Sequence, residues 1–336
     1  MKSPTAQNAT EAPSGARASS QGSSLQTIVP SLLVWALLLT APYWLPMFGG
    51  YTALGSRVLI YGLAALGLNL LLGFTGGLSF GHAAYFGLGA YGTGLMLKFI
   101  THSTPLAMLV GVLVGGLGAT LFGPVTVRRR GIYFAMITIA IGQMFYFIAV
   151  RWNSLTGGED GLTGFGRTNI HFGSAVLNIH NPILFYYFTL FFFAIGCAVV
   201  WSVLRSPLGH TFIAIRENPK RLRFLGLPIG VYIWIAFAIS GFVAALAGAL
   251  YALLNNFTSP EDLNWILSGD FVIICVLGGM RTFWGPLLGA VIYVVVQDYL
   301  SSVTVNWMSF IGAIFVLAVL FFPWGLLGFF QRRIQK

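Results

Sequence analysis

The glycine-rich segment of residues 73–91 (GFTGGLSFGHAAYFGLGAY) contains the side chains best suited to chemistry. His82 is an ionisable group in an apolar stretch, where such a residue is a candidate functional site. Ser79 precedes it by three residues. This spacing alone does not define a nucleophile and its general base, and a histidine hydrogen-bonded to a neighbouring helix is an equally good interpretation. We therefore predict no catalytic residue, no metal ligand and no cofactor.

The glycines of this segment are too dense for an ordinary helix, because each one in a helix interior is about 1 kcal/mol less favourable than alanine. We expect a break at Gly76 and Gly77 and a new helix near Gly81. A broken helix at membrane depth exposes backbone groups to a polar solute, whereas close helix packing through small residues is the alternative. The candidate solute-path residues are Gly76, Gly77, Ser79, Gly81, His82, Gly278 and Gly279.

Gly278 and Gly279 begin a second glycine-rich segment, residues 278–293 (GGMRTFWGPLLGAVIY). This segment aligns with GGLSFGHAAYFGLGAY at 76–91. Glycine-broken segments at corresponding places in the two halves of a chain are typical of transport proteins with internal repeats. A chance likeness between two glycine-rich membrane sequences is the alternative. The pattern indicates a possible internal repeat.

A basic, polar segment at residues 205–226 (RSPLGHTFIAIRENPKRLRFLG) separates two long apolar runs. Ser206-Pro207 and Asn218-Pro219 each predict the start of a short helix, and Gly226 predicts the end of the second helix. With the apolar residues Phe212, Ile215, Leu222 and Leu225 as anchors between the charges, the segment suits a docking element for a partner protein, although a merely solvated loop is possible. The candidate docking residues are Arg205, Ser206, Pro207, Gly209, Phe212, Ile215, Arg216, Glu217, Asn218 and Gly226.

The amino-acid composition indicates the type of fold in which these segments lie. Of the 336 residues, 57% are hydrophobic and only 8% are charged, against roughly 25% charged in soluble domains. We predict an all-α, polytopic membrane helix bundle in a lipid bilayer, with a disordered tail at 1–27, a transmembrane domain at 28–328 and a basic tail at 329–336. About ten spans are expected, at 28–48, 51–72, 83–100, 105–127, 131–150, 182–204, 228–254, 268–279, 285–303 and 308–326.

The net charge of +10 predicts orientation rather than nucleic-acid binding. If both termini and the 205–226 loop are cytoplasmic, most basic residues lie on the inner side, as the positive-inside rule requires. The adjacent acidic residues Glu159 and Asp160 then lie in an outer loop, where a contact surface is the preferred interpretation. Cys197 and Cys275 lie in apolar runs and are interpreted as buried thiols.

One nucleotide-binding motif is absent from the sequence. None of the four lysines follows a glycine, so the chain has no G-x-x-x-x-G-K-[ST] phosphate-binding loop. If ATP drives transport, a separate subunit hydrolyses it. A stand-alone secondary transporter is an alternative, but such proteins more often place paired ionisable groups inside their spans, and the acidic candidates here, Asp270 and Asp298, lie near outer helix ends.

In sequence order, a series of motifs resembles the permease subunit of bacterial branched-chain amino acid ABC importers, the LivM type. The motifs are GLNLLLGFTGGLSFGHAAYFGLGAY (67–91), RRRGIYFAMITIAIG (128–142), LTGGEDGL (155–162), SPLGHTFIAIREN (206–218), ISGFVAALAGALYA (239–252), VLGGMRTFWGPLLGA (276–290) and FPWGL (322–326). The chain departs from the family after Asn218, where Pro219-Lys220-Arg221-Leu222-Arg223 replaces the usual acidic residue and small alanines.

This resemblance implies a multi-pass protein of the bacterial inner membrane that works with other subunits. The expected partners are two ATP-binding subunits, a second permease of the LivH type and an extracytoplasmic solute-binding protein. Residues 205–226 correspond to the family's coupling loop, which inserts into an ATP-binding subunit. The implied solutes are branched-chain amino acids, and related permeases on the same scaffold carry urea or short-chain amides.

Overall fold

The computed structural model describes residues 22–172, 175–321 and 325–328. Its longer elements are the helices α1 (Gly22–Trp44), α2 (Thr52–Asn69), α3 (His82–Phe99), α4 (Thr104–Thr126), α5 (Ile132–Arg151), α6 (Asn153–Thr156), α7 (Pro182–Arg205), α8 (Pro207–Glu217), α9 (Pro219–Phe224), α10 (Ile229–Asn255), α11 (Trp265–Gly278), α12 (Gly285–Val303) and α13 (Trp307–Phe321). A small antiparallel hairpin pairs β1 (Ile170–Phe172) with β2 (Ala175–Leu177).

The predicted all-α class is confirmed, and each of the ten predicted apolar segments coincides with a helix in the described residues. In the described residues the first helix is already present at Gly22, before the predicted boundary at Ile28. The rest of the predicted N-terminal tail, residues 1–21, and the predicted basic tail at 329–336 lie outside the described residues.

By length and hydropathy, six helical segments of the described chain can cross a membrane, fewer than the ten predicted. They are Thr52–Thr75, Thr104–Thr126, Ile132–Arg151, Pro182–Arg205, Ile229–Asn255 and Gly285–Val303. The helix α11, with 14 residues, extends only about 21 Å at 1.5 Å per residue. The helix α3 contains glycines together with His82 and Lys98, which lower its hydropathy.

The ends of the helices meet at two opposite faces of the bundle. One face gathers the α4–α5 turn, α8 and the chain after α2, since Arg129, Thr75 and Arg216 line one pocket there. We call it the basic face. At the other face, Thr104 Oγ1 lies 2.9 Å from Thr168 Oγ1, and the segments at 162 and 258 pair as a β-bridge. We call this the outer-loop face.

Three helices at the centre of the bundle, α3, α4 and α10, approach each other closely through glycine. A Cβ atom at Gly248 of α10 would overlap the carbonyl oxygen of Phe86, and one at Gly89 of α3 would overlap that of Ala245. Small residues of this kind allow membrane helices to pack backbone to backbone. The alternative interpretation of the glycines, close packing, therefore applies to those inside α3.

The outside of the bundle is apolar. On α4, the leucines at 106, 109, 113, 117 and 121 form a stripe at helical spacing, and each is between 42% and 73% exposed. Residues three or four apart share one side of a helix. An exposed stripe of this length is not typical of a water-soluble protein, so this side of α4 suits contact with lipid.

Candidate functional site

The first helix break follows α2. The helix continues as a π-helical turn over Leu70–Thr75 and ends at Gly76, whose φ of +79° is left-handed. The chain then runs without regular structure until α3 begins at His82. The predicted break at Gly76 and Gly77 and the predicted restart near Gly81 are both observed.

The second break separates α11 from α12. The helix α11 ends at Gly278, and the next residues include two with positive φ, Gly279 at +122° and Arg281 at +72°. A Cβ atom at Gly278 would overlap the carbonyl oxygen of Gly285 at the start of α12. Both glycine-rich segments thus have a helix–break–helix form, although this shared form does not establish an internal repeat.

A buried amide side chain joins the two breaks. Asn69, at the end of α2, has no exposed surface. Its Nδ2 donates a hydrogen bond of 3.0 Å to the carbonyl oxygen of Thr282, in the second break. This buried hydrogen bond therefore connects the end of α2, which leads into the first break, to the second break.

The C-terminal turn of α8 contacts both breaks from the basic face. The Arg216 guanidinium donates to the carbonyl oxygen of Gly73 and, at 3.4 Å, to that of Leu72. The next residue, Glu217, lies 3.8 Å from the Arg281 guanidinium. Partial burial and the nearby Arg281 charge both lower the pKa of Arg216. Movement of α8 would therefore act on both breaks at once.

The position of α8 relative to α7 is fixed by a tight corner. Ser206 alone separates α7 from α8, and its amide donates to the carbonyl oxygens of Ser202 and Val203. A Cβ atom at Gly209 would overlap the carbonyl oxygen of Leu204, so this corner requires glycine.

Two of the predicted apolar anchors of the loop face the protein's own interior. Phe212 is fully buried and Ile215 is 3% exposed, and both belong to a cluster that includes Leu71 and Phe134. These side chains hold α8 against the bundle and are not presented to another protein. Among the candidate docking residues, those exposed at the surface are Arg205, Pro207, Glu217, Asn218 and Gly226, while Ser206 and Arg216 are half-buried and Gly209 is buried.

The short helix α9 presents Phe224, which the sequence analysis did not select, beside the predicted apolar anchor Leu225. Asn218 Oδ1 accepts a 3.1 Å hydrogen bond from the Arg221 amide and caps the helix, and Gly226 follows it with φ +79°. Phe224 is 90% exposed and Leu225 is 71% exposed. This exposed apolar surface could have been recognised in the sequence, because a phenylalanine and a leucine directly follow a run of basic residues.

A pocket of about 190 Å³ on the basic face lies between the first break and α8. It is lined by Gly76, Gly77 and the charged Arg129, Arg130 and Arg216, among others. Burial, followed by the nearby Arg223, lowers the pKa of Arg130. Three guanidinium groups give the pocket a positive potential.

The other candidate solute-path residues of the first segment are buried away from this pocket. His82 and Ser79 have no exposed surface. One ring nitrogen of His82 lies 3.0 Å from Ser79 Oγ and the other lies 2.5 Å from Ser240 Oγ of α10, while Ser240 donates to the carbonyl oxygen of Gly67 in α2. Gly81 packs against the Thr138 carbonyl oxygen of α5. The histidine thus links α3 to α10. It is not bonded to a carboxylate, which an acid–base triad requires.

No group of three or more His, Cys, Asp or Glu side chains in the part of the chain that the structure describes is arranged to hold a metal ion. Both cysteines are buried, and Cys275 Sγ lies 3.1 Å from the carbonyl oxygen of Ala65. The polar groups of the described structure instead concentrate at helix breaks and at the two faces of the bundle.

Apolar helices with two glycine breaks, an exposed apolar stripe and one strongly basic face define a polytopic membrane protein. The chain belongs to the family described as "Branched-chain amino acid transport system / permease component", whose profile matches residues 50–319. It is accordingly a membrane permease with apolar, membrane-spanning helices.

Individual relatives agree with this family. The chain is 29% identical to the high-affinity branched-chain amino acid transport system permease protein LivM of Salmonella typhimurium and 27% identical to that of Escherichia coli (strain K12), in each case over 92% of this chain and 77% of the relative. It is 25% identical to the autoinducer 2 import system permease protein LsrD of Enterobacter sp. (strain 638), over 74% of each chain. No solved structure matches.

Proposed function

We propose that this chain is the permease subunit of an ABC importer that moves branched-chain, hydrophobic amino acids across the inner membrane. The observation that carries the importer assignment is the contact of one loop helix, α8, with both helix breaks. This arrangement allows a partner bound at the basic face to act on both irregular segments. The similarity to the LivM permeases over 92% of the chain supports branched-chain amino acids as the solutes.

The proposed assembly contains two ATP-binding subunits, a second permease of the LivH type and an extracytoplasmic solute-binding protein. Because the chain has no phosphate-binding loop, ATP hydrolysis is assigned to the ATP-binding subunits. The exposed part of 205–226, with Phe224 and Leu225 at its tip, is the proposed contact with one of them. A cleft of about 680 Å³ beside Glu159 and Asp160, on the outer-loop face, is the proposed contact region for the solute-binding protein.

In this proposal the chain crosses the membrane about ten times, with the helices α1, α3, α11 and α13 adding to the six long spans. The basic face and both termini are then cytoplasmic, since basic residues concentrate on that face. Single cysteines at Lys220 and Thr163, both exposed, test the orientation in a variant that lacks Cys197 and Cys275. An impermeant maleimide added to intact cells should label only the cysteine at 163, and labelling of the cysteine at 220 would contradict the orientation.

Uptake by the purified, reconstituted assembly tests the solute. Proteoliposomes that contain all four membrane and ATP-binding subunits, with the solute-binding protein outside, are supplied with labelled leucine, isoleucine, valine, urea and autoinducer 2. We expect ATP-dependent uptake of the three amino acids. Uptake of urea alone would favour the urea or short-chain amide alternative, and uptake of autoinducer 2 alone would favour the function named for the LsrD relative. Uptake without any ATP-binding subunit would instead indicate a secondary transporter.

A further inference from the structure

Two opposite charges are half-buried in the bundle and form no salt bridge with each other. Arg57 lies in the second turn of α2 and Asp270 in the second turn of α11, so both are near the outer-loop face. In the described residues the only ion pair with a nitrogen–oxygen distance within 4.0 Å joins Arg281 to Glu217, and Arg57 and Asp270 therefore do not form one. Ionisable side chains within membrane helices are costly unless they are paired and usually mark a solute path.

The hydrogen bonds of the two groups leave part of their capacity unused. Arg57 Nη2 donates to Gln297 Oε1 at a long 3.4 Å, and its Nε is buried without a partner. On the other side, the Asp270 carboxylate lies near the Tyr293 hydroxyl. Arginine can bind a carboxylate through two parallel hydrogen bonds, and a carboxylate oxygen can accept from an ammonium group.

Aromatic side chains lie between and beside these charges. The guanidinium of Arg57 lies 5.4 Å from the ring centre of Tyr61. Tyr61 stacks on Tyr251 at 6.1 Å and meets Phe271, the neighbour of Asp270, edge to face at 5.8 Å. Phe86 of α3 closes the group, with its ring centre 5.4 Å from that of Phe271. The cluster thus combines a cation, an anion and an apolar wall.

We propose that this cluster is the binding site for the zwitterionic head group and apolar side chain of an amino acid during its passage through the permease. Arg57 binds the α-carboxylate, Asp270 binds the α-ammonium, and Tyr61, Phe86 and Phe271 contact the side chain. The rings are packed together in this conformation, so the solute enters when α11 moves away from α2. The inference rests on the proposed function, because an uncharged solute such as urea has no use for the two charges.

The test measures leucine uptake by the complete assembly in proteoliposomes, with co-purification of all subunits and receptor-stimulated ATP hydrolysis as checks. Arg57→Gln and Asp270→Asn should each reduce uptake at least about tenfold, because each leaves one solute charge buried without a partner. The assemblies should still form and hydrolyse ATP. Lys98→Gln and Glu261→Gln, matched changes of exposed charges at the outer-loop face, should stay within about twofold of wild type.

The double variant separates this proposal from a structural role. If Arg57 and Asp270 only balance each other's charge, removal of both should restore uptake, whereas a solute site should stay inactive. Should the neutral variants fail to assemble, Arg57→Lys and Asp270→Glu keep the charges and carry the test, with reduced uptake expected at normal assembly. Uptake at the wild-type level by both, or recovery in the double variant, would overturn the proposal. Absence of amino acid uptake by the wild-type protein would instead contradict the proposed function.

Discussion

Glu217, the last residue of α8, lies 3.8 Å from the guanidinium of Arg281 in the break between α11 and α12. The two side chains are 67% and 49% exposed, and exposed pairs of this kind contribute only about 0–1 kcal/mol to stability. Arg281 has a φ of +72°, which is uncommon for a residue other than glycine. The pair is therefore better explained by communication between α8 and the second break than by stability.

We expect Glu217→Gln and Arg281→Gln to reduce solute uptake per ATP hydrolysed while thermal unfolding of the purified assembly stays unchanged. The reason is that each change removes one contact between α8 and a break but no buried surface. Charge reversal at both positions should restore part of the coupling. Arg128→Gln, an exposed change on the same face, is the control, and equal behaviour of all variants would show that the pair is unimportant.

The tip of α9 provides a second prediction. Phe224→Ala and Leu225→Ala should weaken co-purification of the ATP-binding subunit and lower solute-stimulated ATP hydrolysis, because exposed aromatic and aliphatic side chains are the natural anchors of such contacts. Ile215→Ala, in contrast, should lower the thermal stability by about 2–5 kcal/mol, as expected for truncation of a buried side chain. Normal co-purification and ATP hydrolysis in a Phe224/Leu225 double variant would exclude this surface as the docking site.

Two of the candidate solute-path glycines, Gly77 and Gly279, should differ in their tolerance of alanine. Gly279 has a φ of +122°, a conformation that strains other residues by about 1–3 kcal/mol. A Cβ atom at Gly77 would lie 3.3 Å from Leu71 Cγ, which a small side-chain shift can relieve. We expect Gly279→Ala to impair assembly and uptake and Gly77→Ala to be mild. Comparable losses in both variants would place Gly77 at a close approach to the solute instead.

The hydrogen bonds of His82 predict a mainly structural effect of its removal. His82→Ala leaves the buried hydroxyls of Ser79 and Ser240 with fewer partners, at a cost of about 1–3 kcal/mol. The melting temperature of the assembly should fall, while uptake per assembled transporter should remain within about twofold of wild type. Loss of uptake at an unchanged melting temperature would assign His82 to the solute path, in agreement with the sequence-based hypothesis.

Asp262, in the loop between α10 and α11, predicts a dependence on pH. Burial raises its pKa to about 7, even though its carboxylate accepts a hydrogen bond from the Ser259 amide. Since the folded-state pKa exceeds the unfolded one, the stabilisation is fully present below about pH 4 and is lost as the pH rises through about 7. Wild-type protein should therefore melt at a lower temperature at pH 8 than at pH 5. Asp262→Asn should reduce this difference, and an unchanged difference would contradict the assignment.

The sequence predicted the helices well because apolar runs bounded by glycine, proline and charge are local signals. The break after α2 and the two helices within residues 205–226 follow from the same signals, as Gly76 and the caps at Ser206 and Asn218 illustrate. The sequence did not predict that Phe212 and Ile215 pack into their own bundle. An apolar side chain in a polar loop is equally compatible with burial in this chain and burial in a partner, and only the tertiary structure distinguishes the two.

The contacts between distant segments were also beyond the sequence analysis. Arg57 and Asp270 are separated by more than 200 positions in the sequence. The sequence analysis considered Asp270 only for its position near a helix end. Similarly, nothing local to Asn69 indicates that it bonds to Thr282. Such groupings depend on how α2, α11 and α12 pack, which a single sequence without homologues does not specify.

The one-residue corner between α7 and α8 couples the movements of these two helices. Because Ser206 is bonded to the end of α7 and Gly209 lies against Leu204, a partner that tilts α8 must also twist the end of α7. The 24 residues of α7 span about 36 Å, which is enough to reach the opposite side of the bilayer. The corner and α7 thus connect the basic face to the outer-loop side along one continuous helix, in addition to the contacts that the buried Phe212 and Ile215 make with the core.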